Sequence, residues 1–279
     1  MSGIKRKREM VLNILTFCIT LIVIIPFLWI ILMSFKTDSQ ILMEPFSLPK
    51  AWNLDNYKRA MEVLPLLSMY KNTIIIAAGS EVICLLTTFM SSFALTRLKF
   101  RSKKLQNGLY IFIISGLMIP TYILLFPIYR INVLLKLTGT YTAIILPLAA
   151  SSVSFNTLMF VGFLKGFPAE LEEAAVIDGC RLVRLCWSVV IPLMKPILAT
   201  VVVFNVLYVW NEFPLCVTLI QDASMRTISM GVSMFRGAYS IDYSGLVAGT
   251  ILILIPQLIF YCVFQKYIVG GQTAGAVKG

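Results

Sequence analysis

The sequence predicts an all-α membrane protein with six transmembrane helices and a short cytoplasmic helix between spans four and five. Hydrophobic residues make up 58% of the 279 positions and charged residues only 13%, whereas soluble domains carry about 25% charged residues. The apolar residues form six runs, each long enough to cross a bilayer core that needs roughly 20 residues per helix. This length predicts a single membrane domain over residues 1–279.

The apolar runs give the spans directly. The first run follows a basic N-terminal segment and is longer than the apolar part of a cleaved signal peptide, so we expect it to be retained. The predicted spans are about 11–33, 73–95, 109–129, 141–164, 192–220 and 246–268.

The distribution of Lys and Arg predicts that both termini are cytoplasmic. Six spans put the two termini on one side, and 15 of the 24 Lys and Arg residues fall there. The bias is clearest in the loop 97–104, which has five positive charges and no acid. Basic loops of this kind stay in the cytoplasm. The basic residues that orient the chain in the lipid bilayer also account for the net charge of +11. We therefore expect the bilayer, and no nucleic acid, as a partner.

Several kinds of chemistry are excluded by what the sequence lacks. It has no His, which removes Ser-His triads, HExxH zinc sites and His proton relays. The six Cys residues form no CxxC pair and have no metal-ligand spacing. There is also no GxxxxGK[ST] phosphate loop. We therefore expect no enzymatic activity, no metal site and no cofactor bound by this chain.

The polar segment 165–191 between spans four and five carries strong helix signals. Pro168 suits the first helical position, and the glutamates that follow lie where the helix dipole favours anions. Asp178-Gly179 supplies a stop, because Gly tolerates the left-handed conformation that commonly closes a helix. A second helix is predicted over 181–190, and Pro192 is expected to start span five. The element is suited to docking in a partner's groove; an amphipathic linker on the membrane surface is the alternative.

The same segment resembles a known loop. Glu173-Ala174-Ala175, three residues, Gly179, nine residues and then residues 189–192 (VVIP) are similar to the EAA–G–I-x-L-P loop of binding-protein-dependent ABC importer permeases. Aliphatic exchanges at positions 189 and 191 are mild departures. In that family the loop docks into a cleft of the ATPase subunit. The resemblance thus implies ATPase coupling through Glu172, Glu173, Ala174, Ala175, Asp178, Gly179 and Pro192.

The resemblance extends over nearly the whole chain and narrows to the carbohydrate-uptake family, specifically the maltose-permease G type of subunit. Val161-Gly162 is a departure, since many relatives have Arg-Gln there. The resemblance also implies that the C-terminal tail, residues 271–279, reaches the ATPase interface through Thr273, Gly275 and Lys278. The supporting segments are 92–101 (SFALTRLKFR), 118–120 (MIP), 127–129 (PIY), 145–147 (ILP), 210–213 (WNEF) and 271–279.

Polar groups inside the predicted spans are candidates for function, because they are costly in a membrane. Trp210, Asn211 and Glu212 combine a ring with amide and carboxylate groups, the chemistry that binds sugars, and are candidates for the translocation pathway. Alternatively, Asn211 and Glu212 bond to a neighbouring helix and break span five before Pro214. The resemblance implies that sugar contacts lie mostly in the partner permease. For Glu81 we expect a structural pairing with a group on the partner subunit.

Taken together, the resemblance implies a permease subunit of an ATP-driven importer in a bacterial inner membrane, moving a sugar or sugar derivative into the cytoplasm. The implied partners are a second related permease, two ATPase subunits that bind ATP and Mg, and an extracytoplasmic solute-binding protein. Two rival hypotheses are an ion-coupled secondary transporter with Glu81 and Glu212 as coupling acids and a membrane scaffold without transport activity.

Overall fold

The computed structural model describes residues 2–166, 170–237 and 239–276, with side chains placed from residue 9 to residue 267 inside these ranges. Helices dominate, and the described residues include one antiparallel bridge between Arg236 and Ile241. The α-helices are α1 (Ser2–Met33), α2 (Asp38–Met43), α3 (Asp55–Val63), α4 (Leu66–Arg97), α5 (Lys103–Ser115), α6 (Leu125–Leu134), α7 (Thr142–Gly166), α8 (Glu170–Ile177), α9 (Leu182–Leu185), α10 (Ile191–Leu193), α11 (Lys195–Asn211), α12 (Pro214–Leu219) and α13 (Tyr243–Ala276).

Four helices are long and apolar enough to cross a membrane by themselves. They are the Glu9–Met33 part of α1, all of α4 and α7, and the Tyr243–Tyr267 part of α13. Two bent pairs of helical segments raise the number within the described residues to six if each pair is one span. The all-α membrane class is therefore confirmed. The bent pairs are Lys103–Met118 with Thr121–Leu134, and Leu182–Leu193 with Lys195–Asn211.

The third predicted span, 109–129, is not a straight helix, and in this the prediction was wrong. After α5 a 3₁₀ turn covers Gly116–Met118, and Ile119 and Pro120 are extended, with ψ of 114° and 122°. The segment from Thr121 onwards continues at 90° to the first half. A proline has no N–H for the helix and disfavours the helical conformation in the residue before it, which explains the break.

The segment predicted as span five is bent, and Pro192 lies inside the pair Leu182–Leu193 with Lys195–Asn211 and not at its start. A π-helical segment, Cys186–Val190, leads into the short helix α10, which contains Pro192. The chain then bends by 74° before α11, in whose first turn Pro196 lies. Sharp bends occur at prolines and at π-helical turns. Here the bend is at Met194, between the two prolines.

Contacts divide the chain into two compact units, of which the first comprises Met1–Leu66 and Gly231–Pro256. Lys36 is fully buried in this unit. Its Nζ donates to the carbonyl oxygens of Glu44 and Pro45 at 3.0 and 2.9 Å. These bonds to a buried ammonium fix the chain between α2 and α3.

The second unit comprises Leu67–Met230 and Gln257–Gly279. A hydrophobic core in this unit joins α4 and α7 to the segments from α9 to α11, and Ala175 of α8 packs against it. This core positions α8 at the ends of the longer helices. Its buried members are Phe93, Phe160, Leu164, Leu185, Val190, Met194, Ile197 and Val201. The prediction of a single permease domain stays a prediction.

Candidate functional site

Helix α8 occupies the segment with the predicted coupling role, and a glycine in the left-handed conformation ends it. Gly179 has φ +80°. The Gly179 N–H donates to Val176 O at 3.0 Å and the Cys180 N–H to Ala175 O at 2.9 Å. These two bonds form a Schellman motif, which satisfies the last carbonyls of a helix. The predicted stop is confirmed; the predicted first residue, Pro168, lies outside the described residues.

Glu172 is turned into the protein, where it binds Arg97 of α4. Arg97 Nε donates to both carboxylate oxygens at 2.7 and 2.8 Å, and the two side chains are 15% and 10% exposed. Arg97 Nη2 also donates to the Leu164 carbonyl at 2.9 Å. Leu164 lies in the last turn of α7, where carbonyls lack partners in their own helix. One guanidinium therefore caps α7 and holds α8.

The role of Arg97 was missed in the sequence, where it counted only as an orientation charge. The two partners are 75 residues apart. No local spacing connects an arginine at the end of one span with a glutamate in a later loop.

The opposite side of α8 is exposed and mixes apolar and acidic side chains. Val176 and Ile177 are 56% and 85% exposed. Ala174, Glu173 and Asp178 are exposed beside them. A short helix that is anchored on one side and presents this surface on the other suits a groove in a partner protein.

The other residues of the predicted coupling set lie outside α8. Pro192 is exposed in α10, within the bend that leads to α11. Thr273 and Gly275 lie within α13, but their side chains are not among those described, and Lys278 lies outside the described residues. Their contacts with an ATPase stay predictions.

Span five is broken immediately after the candidate pathway residues. α11 ends at Asn211, and α12 begins at Pro214. Glu212 is only 2% exposed, and its Oε1 accepts the Leu215 N–H at 2.9 Å. The carboxylate thus caps the start of α12, where anions are favoured. The predicted break before Pro214 is observed, but the expected bond of Asn211 to a neighbouring helix is not, because its amide donates to Leu207 O in its own helix.

Trp210 and Asn211 differ in their surroundings. The Trp210 ring packs on Tyr70, with centroids 5.8 Å apart. Asn211 is exposed and its Nδ2 donates to Leu207 O, within its own helix, at 2.7 Å. A pathway role for Trp210, Asn211 and Glu212 stays a prediction.

Glu81 of α4 lies beside Asn205 of α11. Glu81 Oε1 and Asn205 Nδ2 are buried and have no hydrogen-bond partner among the described residues. The predicted pairing of Glu81 with a partner subunit stays a prediction. Within the same residues, no group of three or more His, Cys, Asp and Glu side chains is arranged to hold a metal ion.

Comparison with known proteins places this architecture in a family. The model of the binding-protein-dependent transport system inner membrane component matches residues 87–271. The putative ABC transporter permease protein ORF2 of Caldicellulosiruptor sp. is 37% identical over 93% of this chain and 94% of its own length. The diacetylchitobiose uptake system permease protein NgcG of Streptomyces coelicolor is 31% identical over 93% and 85%.

A solved structure shares the fold. It is the crystal structure of a bacterial ABC transporter involved in the import of the acidic polysaccharide alginate. The TM-score is 0.78 at 22% identity, with 94% of this chain and 96% of the other covered.

These findings contradict the hypothesis of an ion-coupled transporter with Glu81 and Glu212 as coupling acids. The matched family belongs to binding-protein-dependent transport, and the relative most similar among those described is an ABC transporter permease. The match begins within α4, includes the α8 segment and ends in α13. The chain therefore belongs to the family of binding-protein-dependent transport system inner membrane components.

Proposed function

We propose that the chain is the permease subunit of an ABC importer that moves a sugar or sugar derivative into the cytoplasm across a bacterial inner membrane. Family membership supports the importer, and the names of two similar proteins support the substrate class. One belongs to a diacetylchitobiose uptake system, and the other is involved in the import of alginate. Both compounds are built of sugar rings but differ in size and charge, so the class is proposed and not a compound.

The exposed face of α8 is proposed to dock into the ATPase subunit. This proposal rests on one observation: one side of α8 is bound to the rest of the protein and the other side is exposed. Glu172 and Ala175 face the protein, where Arg97 and the core hold them, whereas Glu173 and Ile177 face away. Force on the exposed face would reach α4 and α7 through Arg97. In this proposal Glu172 acts by positioning α8.

The remaining partners follow from the importer architecture. A second related permease would complete the pathway, two ATPase subunits would bind ATP and Mg, and an extracytoplasmic protein would deliver the sugar. Both termini would be cytoplasmic, in agreement with the basic loop 97–104 on the side of α8. Closure of the ATPase pair would move α8 and switch the pathway between inward and outward states.

The coupling role is tested in the purified complex of both permeases, the ATPase and the binding protein. Glu173→Ala and Gly179→Asp should abolish stimulation of ATPase activity by the binding protein. Glu9→Ala removes an exposed carboxylate from the proposed cytoplasmic end of α1, away from the binding protein, so this control should retain stimulation. Equal loss in the control, or full stimulation in both α8 variants, would disprove coupling through α8.

A further inference from the structure

A cavity of about 270 Å³ lies between α7, α11 and the start of the segment Thr121–Leu124. Its lining combines hydroxyl groups, one amide and aromatic rings, and includes no Asp, Glu, Lys or Arg. The residues that carry the argument are Thr121, Ser151, Phe155, Phe204, Asn205 and Tyr208.

The cavity lies at mid-length along α7 and in the second half of α11. Positions 151–155 are roughly 14–20 Å from the start of α7, which is about 37 Å long at 1.5 Å per residue. Positions 204–208 are roughly 14–20 Å from the start of α11. Polar side chains at such depth are costly against lipid and normally face a helix interface or a water-filled cavity.

The backbone around the cavity leads to the same conclusion. Thr121 follows the extended residues Ile119 and Pro120, where the third span turns by 90°. Irregular backbone at membrane depth is tolerated where it is buried in protein or lines a water-filled cavity. The break at Pro120 and the polar lining therefore mark one hydrated surface.

The chemistry of the lining matches a neutral sugar ring. Phe155 and Phe204 meet edge to face, with centroids 6.1 Å apart and an 83° interplanar angle, and give the cavity an apolar corner for C–H groups. The Tyr208 hydroxyl neighbours the hydroxyls of Thr121 and Ser151. These groups both donate and accept hydrogen bonds, as sugar hydroxyls require.

Asn205 lines the cavity beside Glu81 of α4. The residue is only 6% exposed, and its Nδ2 and the Oε1 of Glu81 both lack a hydrogen-bond partner among the described residues. Buried polar groups without a partner are rare. A hydroxyl group in the cavity would compete with the Glu81 carboxylate for the Asn205 donor.

Building on the importer function proposed above, we propose that this cavity is a subsite for one uncharged sugar ring on the translocation pathway. Its volume falls just below the range of about 300–1,000 Å³ typical of whole ligand sites, which fits a single ring and not an oligosaccharide. Tyr208 and Asn205 would bond to the hydroxyls, and the two phenylalanines would contact the ring face. The pathway contact moves from the predicted residues 210–212 to the preceding two turns of α11.

The test uses the complete importer in liposomes, loaded with ATP on the side of the ATPase subunits. Uptake of radiolabelled maltose, cellobiose, diacetylchitobiose and raffinose, with digalacturonate as a charged probe, identifies the sugar that the wild type moves. Tyr208→Phe and Asn205→Leu are then compared with Tyr261→Phe and Asn107→Leu. The latter pair makes the same changes at exposed positions outside the cavity.

Both cavity variants should lower the sugar moved per ATP hydrolysed by about 3- to 10-fold, the effect of losing one hydrogen bond. ATPase stimulation by the binding protein and co-purification of the partner permease should persist. Unchanged transport per ATP in both variants would overturn the subsite. So would loss of the partner permease, which would make the cavity a subunit contact.

The choice of probes distinguishes failure of the neutral subsite from failure of the proposed sugar class. If the wild type moves only digalacturonate, the importer for sugar derivatives stands and the neutral subsite falls. If it moves none of these probes although the binding protein stimulates its ATPase, the sugar class itself falls, and the subsite with it.

Discussion

Replacing Arg97 with Met should loosen α8 while leaving the long helices in place. The change removes the guanidinium that binds Glu172 and caps the Leu164 carbonyl. Loss of one partner from a buried ion pair costs about 3–5 kcal/mol, because the remaining charge stays buried without a partner. The side chains are 15% and 10% exposed, so some water reaches Glu172 and we expect the lower value, about 3 kcal/mol.

This free energy corresponds to a roughly 100-fold increase in local opening, since 1.4 kcal/mol is a factor of ten. Hydrogen exchange of the amides in 170–177, measured by mass spectrometry on the intact complex, reports this opening. Arg97→Met combined with Glu172→Leu should recover much of the protection, because an apolar pair leaves no buried charge. Arg101→Met, at an exposed position of the same loop, should change nothing. Equal exchange in the wild type and Arg97→Met would refute the anchoring role.

Three further changes test other parts of the chain. Gly179→Ala places a side chain at φ +80° and should cost about 1–2 kcal/mol; coupled uptake should fall, whereas Gly162→Ala, in open space on α7, should leave it intact. Lys36→Met removes the donor to two carbonyls and should cost about 2–4 kcal/mol, seen as faster proteolysis of 44–52. Lys50→Met breaks only an exposed ion pair and should change little. Glu212→Gln keeps the cap on α12 and should preserve the yield of folded protein, whereas Glu212→Leu should lower it; indistinguishable yields would argue against the cap.

The sequence was sufficient to predict structure where a residue and its immediate neighbours determine the backbone conformation. The stop of α8 at Gly179 is such a case, since the left-handed conformation is a property of one residue and its neighbours. The bend between Leu182–Leu193 and Lys195–Asn211 is different. Pro192 and Pro196 offer similar local preferences, and the chain bends between them at Met194, which is fully buried in the core. The position of the bend is therefore set by packing between helices that are far apart in the sequence.

The polar cavity could not be predicted from the sequence because its lining also depends on packing between distant segments. Thr121, Ser151 and Asn205 come from three separate segments, and none of them is ionisable. Among the polar groups in the spans, the sequence indicated Glu81 and Glu212 with Asn205 and Asn211 as polar neighbours, but not the hydroxyl groups. The cluster of serines at 151, 152 and 154 inside an apolar run was the available signal. Serines are nevertheless common in membrane helices, where they bond to their own backbone, as Ser151 does to Leu148 O.

The proposed coupling helix and the proposed sugar subsite share two helices. On α7, Leu164 receives the bond from Arg97, and Phe155 of the cavity lies nine residues, or roughly 14 Å, before it. On α11, the cavity residue Phe204 lies roughly 15 Å beyond the bend at Met194. A helix carries displacement along its axis because its backbone bonds are internal, whereas a broken span absorbs it. α7 therefore connects α8 to the cavity as one intact helix, whereas α11 is linked to α8 through the core that contains Met194 and Ile197. The 90° break at Pro120 allows the opposite wall to stay behind. Movement of α8 would then change the shape of the subsite, as release of a sugar requires.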